Sequence, residues 1–308
     1  MQKTFSKPVS LIVLFAILTI FTVIVVGSRS AHAAPTTVNL RTASPFAILS
    51  GTPNITDAGN ASVITGNVGL SPATGAGNAL TCSQVTGTIY SVDAAGPLPC
   101  RVENSPLLLT AKSNLTTAYN DAAGRTPLTT VPTELGGTTL VAGVYDSSST
   151  TLGISAGAGA LVLDGQGDES SVFIFQAPFS GTGLNVGSAS TVTLINGAQA
   201  CNVFWRVDSA AIDTTATFVG TILALNSITV ANGANIEGRL LARNGNVTLI
   251  NDTITVPICE GNDSADDPTP GLPNTGIPTQ YIIAGAASLL LITAGLLLAF
   301  VAYKKRSA

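Results

Sequence analysis

Three stretches of the chain share one outline and align without gaps: Val186-Gly187-Ser188-Ala189-Ser190-Thr191-Val192, Ile212-Asp213-Thr214-Thr215-Ala216-Thr217-Phe218 and Val230-Ala231-Asn232-Gly233-Ala234-Asn235-Ile236. Each is an apolar residue, a corner of five small or polar residues, and a second apolar residue. Ile55 to Ala61 and Ile154 to Ala160 repeat the outline. Corners of this kind between short strands turn the chain the same way at each pass, so that successive circuits stack as coils of a β-solenoid. The spacing is irregular, 26 residues from 186 to 212 and 18 from 212 to 230. A β-sandwich with ordinary hairpins is the alternative on pattern alone. Strand-like runs surround the corners, among them 139–145, 172–175, 203–207, 218–225 and 236–241, most of them separated by Gly, Asn, Asp or Ser. Thirty-four threonines in residues 34–275 suit such strands and disfavour a helical bundle.

One segment departs from this pattern. Leu108, Ala111, Leu115, Ala118 and Ala122 recur at helical spacing, which predicts a helix over 105–124 with one apolar stripe. Ser105 suits its cap, Pro106 its first turn and Gly124 its stop. A single stripe needs a surface to lie on, and the β segment that follows provides one.

Both ends serve something other than the fold. Lys3 and Lys7, the apolar run Leu11 to Val26 and Ala31-His32-Ala33 are the parts of a secretory signal peptide, assigned to residues 1–33. At the other end stand Leu272-Pro273-Asn274-Thr275-Gly276, an apolar stretch read as a membrane span over 281–303, and a basic tail at 304–308. Together they resemble the sorting signal of wall-anchored bacterial proteins. The resemblance implies that sortase cuts between Thr275 and Gly276 and joins the threonine carbonyl to peptidoglycan. An acidic Pro/Gly linker, 260–271, separates this signal from the domain at 34–259. The expected location is extracellular, on the cell surface, with membrane contact only through the C-terminal segment.

Charge and residue supply exclude several function classes. Residues 34–275 hold seven basic and seventeen acidic side chains, a net charge of −10, so nucleic acid is not an expected partner. The lone histidine, His32, belongs to the export segment, which leaves no histidine for a triad or metal site after cleavage. Asp164, Asp168 and Glu169 sit in a Gly-rich turn and read as solvated rather than catalytic. Trp205, with Phe204, Arg206 and Asp208, could offer a sugar-stacking surface, but strand alternation favours core packing. No enzyme activity, catalytic residue, metal ligand or cofactor is therefore nominated. The four cysteines allow three pairings; Cys82 with Cys100 and Cys201 with Cys259 is favoured, because each bridge closes one contiguous segment.

Several motifs together resemble the microbial ice-binding (antifreeze) protein family: Ala111 to Tyr119 continuing to Arg125, Leu140 to Tyr145, Val172 to Gln176, and Ala216 to Ala224 with Gly238 to Ala242. The likeness runs from about Val38 to Cys259. It implies a right-handed, three-sided β-helix of discontinuous coils with one long α-helix packed alongside. It also implies an ice-binding face with a loose Thr-(Ala/Gly)-x-(Thr/Asn) pattern at the corner leading into a strand. Matched residue by residue, the pattern falls on Ser188-Ala189-Ser190-Thr191, Thr214-Thr215-Ala216-Thr217, Asn232-Gly233-Ala234-Asn235 and Asp57-Ala58-Gly59-Asn60. The candidate ice-contacting residues are thus Asp57, Asn60, Ser188, Ser190, Thr191, Thr193, Thr214, Thr215, Thr217, Asn232 and Asn235. Alternation places Thr191, Thr193, Thr217, Val219, Asn235 and Glu237 outward, with Glu237 and Arg239 interrupting the face. Ice has neither charge nor pocket, and a rigid array of stiff methyl-and-hydroxyl groups suits it. A structural adhesin on the same scaffold, contacting polysaccharide or another cell, is the alternative function.

Overall fold

In the computed structural model, residues 35–177 and 183–259 are described. The segments assigned to export, linker, sorting motif, membrane span and basic tail lie outside them, and among the described residues no helix is long and apolar enough to cross a membrane. Most strands are three to five residues long, because a small or polar corner interrupts each one. All strand pairs found among the described residues are parallel. From Phe173 the chain visits three sides in a fixed order: Phe173–Ala177, Leu184–Val186 and Val192–Ile195, then Val203–Val207, Ala210–Ile212 and Thr217–Ala224, and onward likewise.

The first side carries strands in the order Arg101–Glu103, Ile89–Ser91, Asn67–Leu70, Phe46–Ser50, Asn235–Ala242, Thr217–Ala224, Val203–Val207, Phe173–Ala177, Gly143–Ser147 and Leu128–Val131. Stacking is therefore discontinuous in sequence. Ile48 and Leu49 pair with Leu240 and Leu241, so the N-terminal circuits sit on the C-terminal ones. The second side is a six-stranded sheet: Leu152–Ile154, Leu184–Val186, Ala210–Ile212, Ile228–Val230, Val247–Leu249 and Ile55–Asp57. The third side begins with Thr139–Val141, Leu161–Asp164 and Val192–Ile195, and a bridge from Thr191 to Thr217 extends it. Beyond that bridge it runs through the first halves of Thr217–Ala224 and Asn235–Ala242 to Thr253–Thr255, Val63–Thr65 and Val85–Thr86.

Those two long strands bend from the third side to the first at paired glycines, Gly220 and Gly238. Gly220 has a φ of +112°, and a Cβ there would lie 2.7 Å from the Val203 side chain; one at Gly238 would collide with the Gly220 carbonyl. Only glycine fits such a corner.

Two apolar cores result. Inside the circuits, Tyr145, Phe175, Trp205 and Phe218 form an aromatic ladder, with the Phe175 and Trp205 rings stacked 4.0 Å apart. Phe204 is buried in the second core. The sugar-stacking surface considered for this pair is thus not on the outside: both aromatics are buried, one on each side of the sheet. The second core lies between the first side and the helix Ser105–Ala123, which buries Leu108, Ala111, Leu115, Ala118 and Ala122 as the periodicity predicts, and Tyr119 as well.

The helix ends differ slightly from expectation. Asn104, not Ser105, is the cap, accepting from the Leu107 N–H at 3.1 Å. Gly124 is not left-handed, and its N–H closes the last turn on Asn120 and Asp121. Lys112 pins the helix by donating to the Ala242 and Arg243 carbonyls at 2.7 Å each. Burial, then the charge of Arg243, lowers its pKa to about 7. Both expected disulfides form, Cys82–Cys100 and Cys201–Cys259.

Candidate functional site

The third side brings four of the eleven nominated residues, Thr191, Thr193, Thr217 and Asn235, onto one surface, three of them in register. Thr191 stands opposite Thr217, Thr217 opposite Asn235, Asn235 opposite Thr253, and Thr253 opposite Val63. A parallel row runs from Val219 through Glu237, Thr255 and Thr65 to Thr86. Thr193 continues the surface toward Val162 and Thr139. Adjacent strands hold such positions ~4.7 to 4.9 Å apart. Thr217, Asn235, Glu237, Thr253, Val63, Thr65 and Thr86 are exposed; Thr191, Thr193 and Thr255 are half-buried.

A second ladder forms at the corner leading into these strands. Ala189, Thr215, Gly233, Asn251 and Asn60 have φ between +53° and +78° and occupy the tight left-handed position of successive circuits. Beside them, the Thr214 hydroxyl donates to Ser188 Oγ at 3.0 Å, and Asn251 Nδ2 donates to Asn232 Oδ1 at 2.8 Å. Ser188, Thr214 and Asn232 are therefore stacked, as their alignment predicts. The Asp213 carboxyl beside them is held below its ordinary value, first by the Thr214 backbone N–H and then by Ser188.

Other nominations are corrected. Asp57 pairs with Leu249, the position held by apolar residues in other circuits, so it points inward and is 4% exposed. It accepts from the backbone N–H groups of Ser62 and Asn251 and from Gln84 Nε2. Burial alone would raise its pKa, but these hydrogen bonds outweigh that and leave it lowered. Ile55 pairs with Val247 and Asp57 with Leu249, so the outline repeated at 55–61 begins two residues early, and Asn60 takes the left-handed corner position rather than a place beside Thr191 and Thr217. Ser190 is 5% exposed, its hydroxyl donating inward to the Ile154 carbonyl at 2.9 Å. It belongs to an inward row of small groups with Ala216, Ala234, Asp252 and Ser62. Val219, at the bend before Gly220, joins the core. Arg239 lies past the bend, 8% exposed, bonded to Ser44 O and Thr221 Oγ1, and does not interrupt the face.

Residues missing from the nominations are equally clear. Asn251, Asp252 and Thr253 belong to a circuit whose corner, residues 250–252, is one residue shorter than those at 187–190 and 213–216, so the ungapped outline passes over it. On the six-stranded side, Thr229, Thr248 and Thr56 align in a short outward row. That row borders a depression of about 580 Å³, whose lining includes Glu134, Gly153, Asn185 and Ala211. The acidic turn is local structure: Asp164 accepts from Gln166 N and Asn196 Nδ2, and Asp168 from Ser170. Among the described residues no group of three or more His, Cys, Asp or Glu could hold a metal ion.

The sequence matches the ice-binding-like family over residues 48–255. It is 45% identical over 229 residues to an ice-binding protein of a Colwellia species, covering 73% of this chain and 86% of that one. It is 42% identical over 235 residues to an ice-binding protein of Flavobacterium frigoris (strain PS1), covering 75% and 80%. Among solved structures, it resembles an ice binding protein from an Antarctic biological consortium, with a TM-score of 0.62 at 34% identity, covering 73% of this chain and 94% of that one. The DUF3494 domain of Shewanella frigidimarina ice-binding protein_1 gives a TM-score of 0.64 at 29% identity, covering 73% and 99%. A mostly β architecture of parallel sheets with one helix and this degree of likeness lead to one assignment: the chain belongs to the ice-binding-like family.

Proposed function

We propose that this is a cell-surface ice-binding protein whose head is a right-handed, three-sided, discontinuous β-helix, and that it adsorbs to ice through the third side. The observation that carries this reading is the in-register array of Thr191, Thr217, Asn235 and Thr253, flanked by Thr193, Thr65 and Thr86. Short β-branched side chains at strand spacing are stiff, and they hold hydroxyl and methyl groups where they can order a layer of water. Glu237 is the one charge within the array. Adsorption would restrain ice growth or recrystallisation, or hold the cell to ice. No step of covalent chemistry enters this function. Purified exported protein should inhibit ice recrystallisation and give measurable thermal hysteresis; absence of both would favour a structural adhesin.

The sorting signal supports anchorage to peptidoglycan by sortase. Wall-digesting enzymes should then release a chain that ends at Thr275. Full-length chain in the detergent-soluble membrane fraction would show instead a simple membrane anchor.

A further inference from the structure

We propose that the Cys201–Cys259 disulfide is a mechanical clasp that carries tension from the C-terminal tether past the short last described strand of the head and into its central sheet. The idea rests on the surface-anchored reading above, because tension at residue 260 and beyond arises only if the chain is tethered there.

The last described strand, Thr253–Thr255, is three residues long, paired with Asn235–Glu237 on one side and Val63–Thr65 on the other. It is also the seam that joins the C-terminal circuits to the N-terminal ones on the third side. After it the Val256 N–H donates to the Thr65 carbonyl at 3.0 Å, and Ile258 is 88% exposed. Pulled directly, this strand would be peeled from the seam one residue at a time, with Ile254 its one buried side chain. The chain is instead bridged at Cys259 to Cys201, in the short turn Ala200–Asn202. That turn leads into Val203–Val207, which is paired over five positions with Phe173–Ala177 and over four with Thr217–Ala224, and which carries the buried Trp205. Tension entering at Cys259 thus crosses the sulfur–sulfur bond and has to shear two central ladders. The other disulfide, Cys82–Cys100, lies in the N-terminal circuits and is not on this path.

Single-molecule pulling tests the clasp, with one handle at Asn262 and the other at exposed Asn185 on the six-stranded side. The bridged protein should yield first at a force roughly twice that of the reduced protein, since forced unfolding follows the barrier of the element under load. Reduction should also add roughly 200 Å of releasable length, because the cysteines are 58 residues apart in sequence. Cys82→Ser/Cys100→Ser should behave as the parent does. If Cys201→Ser/Cys259→Ser does not fold, reducing the folded parent in place gives the same comparison. An unchanged first rupture force after reduction would overturn the clasp. Cell fractionation tests the anchor independently of this, so failure of one is distinguishable from failure of the other.

Discussion

The strands Thr217–Ala224 and Asn235–Ala242 each belong to two sides of the molecule, and their halves behave differently. Before the glycine bend the two faces differ: Thr217, Asn235 and Glu237 face water, while Phe218 and Ile236 fill the interior and only Val219, at the bend itself, departs from the alternation. After the bend every residue is buried, because the outward positions Thr221, Leu223, Arg239 and Leu241 lie beneath the helix or its flanking segment. Pairing is continuous through both halves, Thr217 with Asn235 at one end and Ala224 with Ala242 at the other. What covers the strand, rather than its backbone, decides whether an outward residue serves stability or contact.

The largest expected effect tests the covered half. Leu241 is fully buried between the sheet and the helix. Leu241→Ala should cost about 3 kcal/mol, the sum of lost transfer energy and a residual cavity. Asn235→Ala, on the uncovered half of the same strand, should move stability by less than about 0.5 kcal/mol. Denaturant midpoints measure both, and equal losses would remove the distinction.

This contrast also explains how much could be read in advance. The helix was legible because its apolar stripe keeps one period from Leu108 to Ala122. The corners at 186, 212 and 230 were legible because each has the same length and places a small residue or glycine at the left-handed position, except Thr215. The corner after Leu249 is one residue shorter than these and the one after Asp57 one longer, and the outline at 55–61 starts at Ile55, two residues before the true equivalent of Val186. The early start puts Asp57 at a corner position it does not hold, and the short corner hides Thr253 from an ungapped outline. The stacking of Phe46–Ser50 on Asn235–Ala242 leaves no local trace, since it joins residues nearly two hundred apart.

The inward side of the same seam has an acid–base consequence. Asp252 accepts from the Ala234 and Ile250 N–H groups at 2.9 and 2.8 Å. Burial, aided by the charge of Asp57, nevertheless raises its pKa from 3.8 to about 6. Folded Asp252 therefore holds its proton more tightly than the unfolded chain does, and its effect on stability becomes less favourable as pH rises from about 4 to about 6. Asp57 acts in the opposite sense: its lowered pKa gives stability above the ordinary carboxylate range that is lost as pH falls below it. Thermal midpoints should thus fall between pH 4.5 and 6.5, and Asp252→Asn should lose that slope. A midpoint that rises across this window in the parent would contradict the burial argument.

A smaller effect is expected at the corner. Thr215 is β-branched yet holds a φ of +55°, where the next circuit uses Gly233 and the one after it Asn251. Asparagine tolerates this conformation far better than threonine, so Thr215→Asn should stabilise the fold by about 1 kcal/mol. The change leaves Thr191, Thr217 and Asn235 in place, so ice activity should persist. A destabilised variant would mean that the Thr215 hydroxyl, which donates to the Thr214 carbonyl at 2.7 Å, matters more than the backbone.

The smallest change in stability should bring the largest change in function. Thr217 is exposed in the middle of the array, with Thr191 on one side and Asn235 on the other. Replacing it by lysine removes little packing, so unfolding free energy should shift by no more than about 0.5 kcal/mol. The new side chain is long and carries a strongly hydrated charge, which breaks up any ordered water layer spanning neighbouring strands. Thr217→Lys should therefore abolish inhibition of ice recrystallisation, and Thr191→Lys should do the same. Thr248→Lys, on the six-stranded side, is the matched control: it exchanges the same residue types on a different face and should leave inhibition intact. If the outcomes are reversed, the row of Thr229, Thr248 and Thr56 is the contact surface, and the third side is an ordinary solvent-facing sheet rich in threonine.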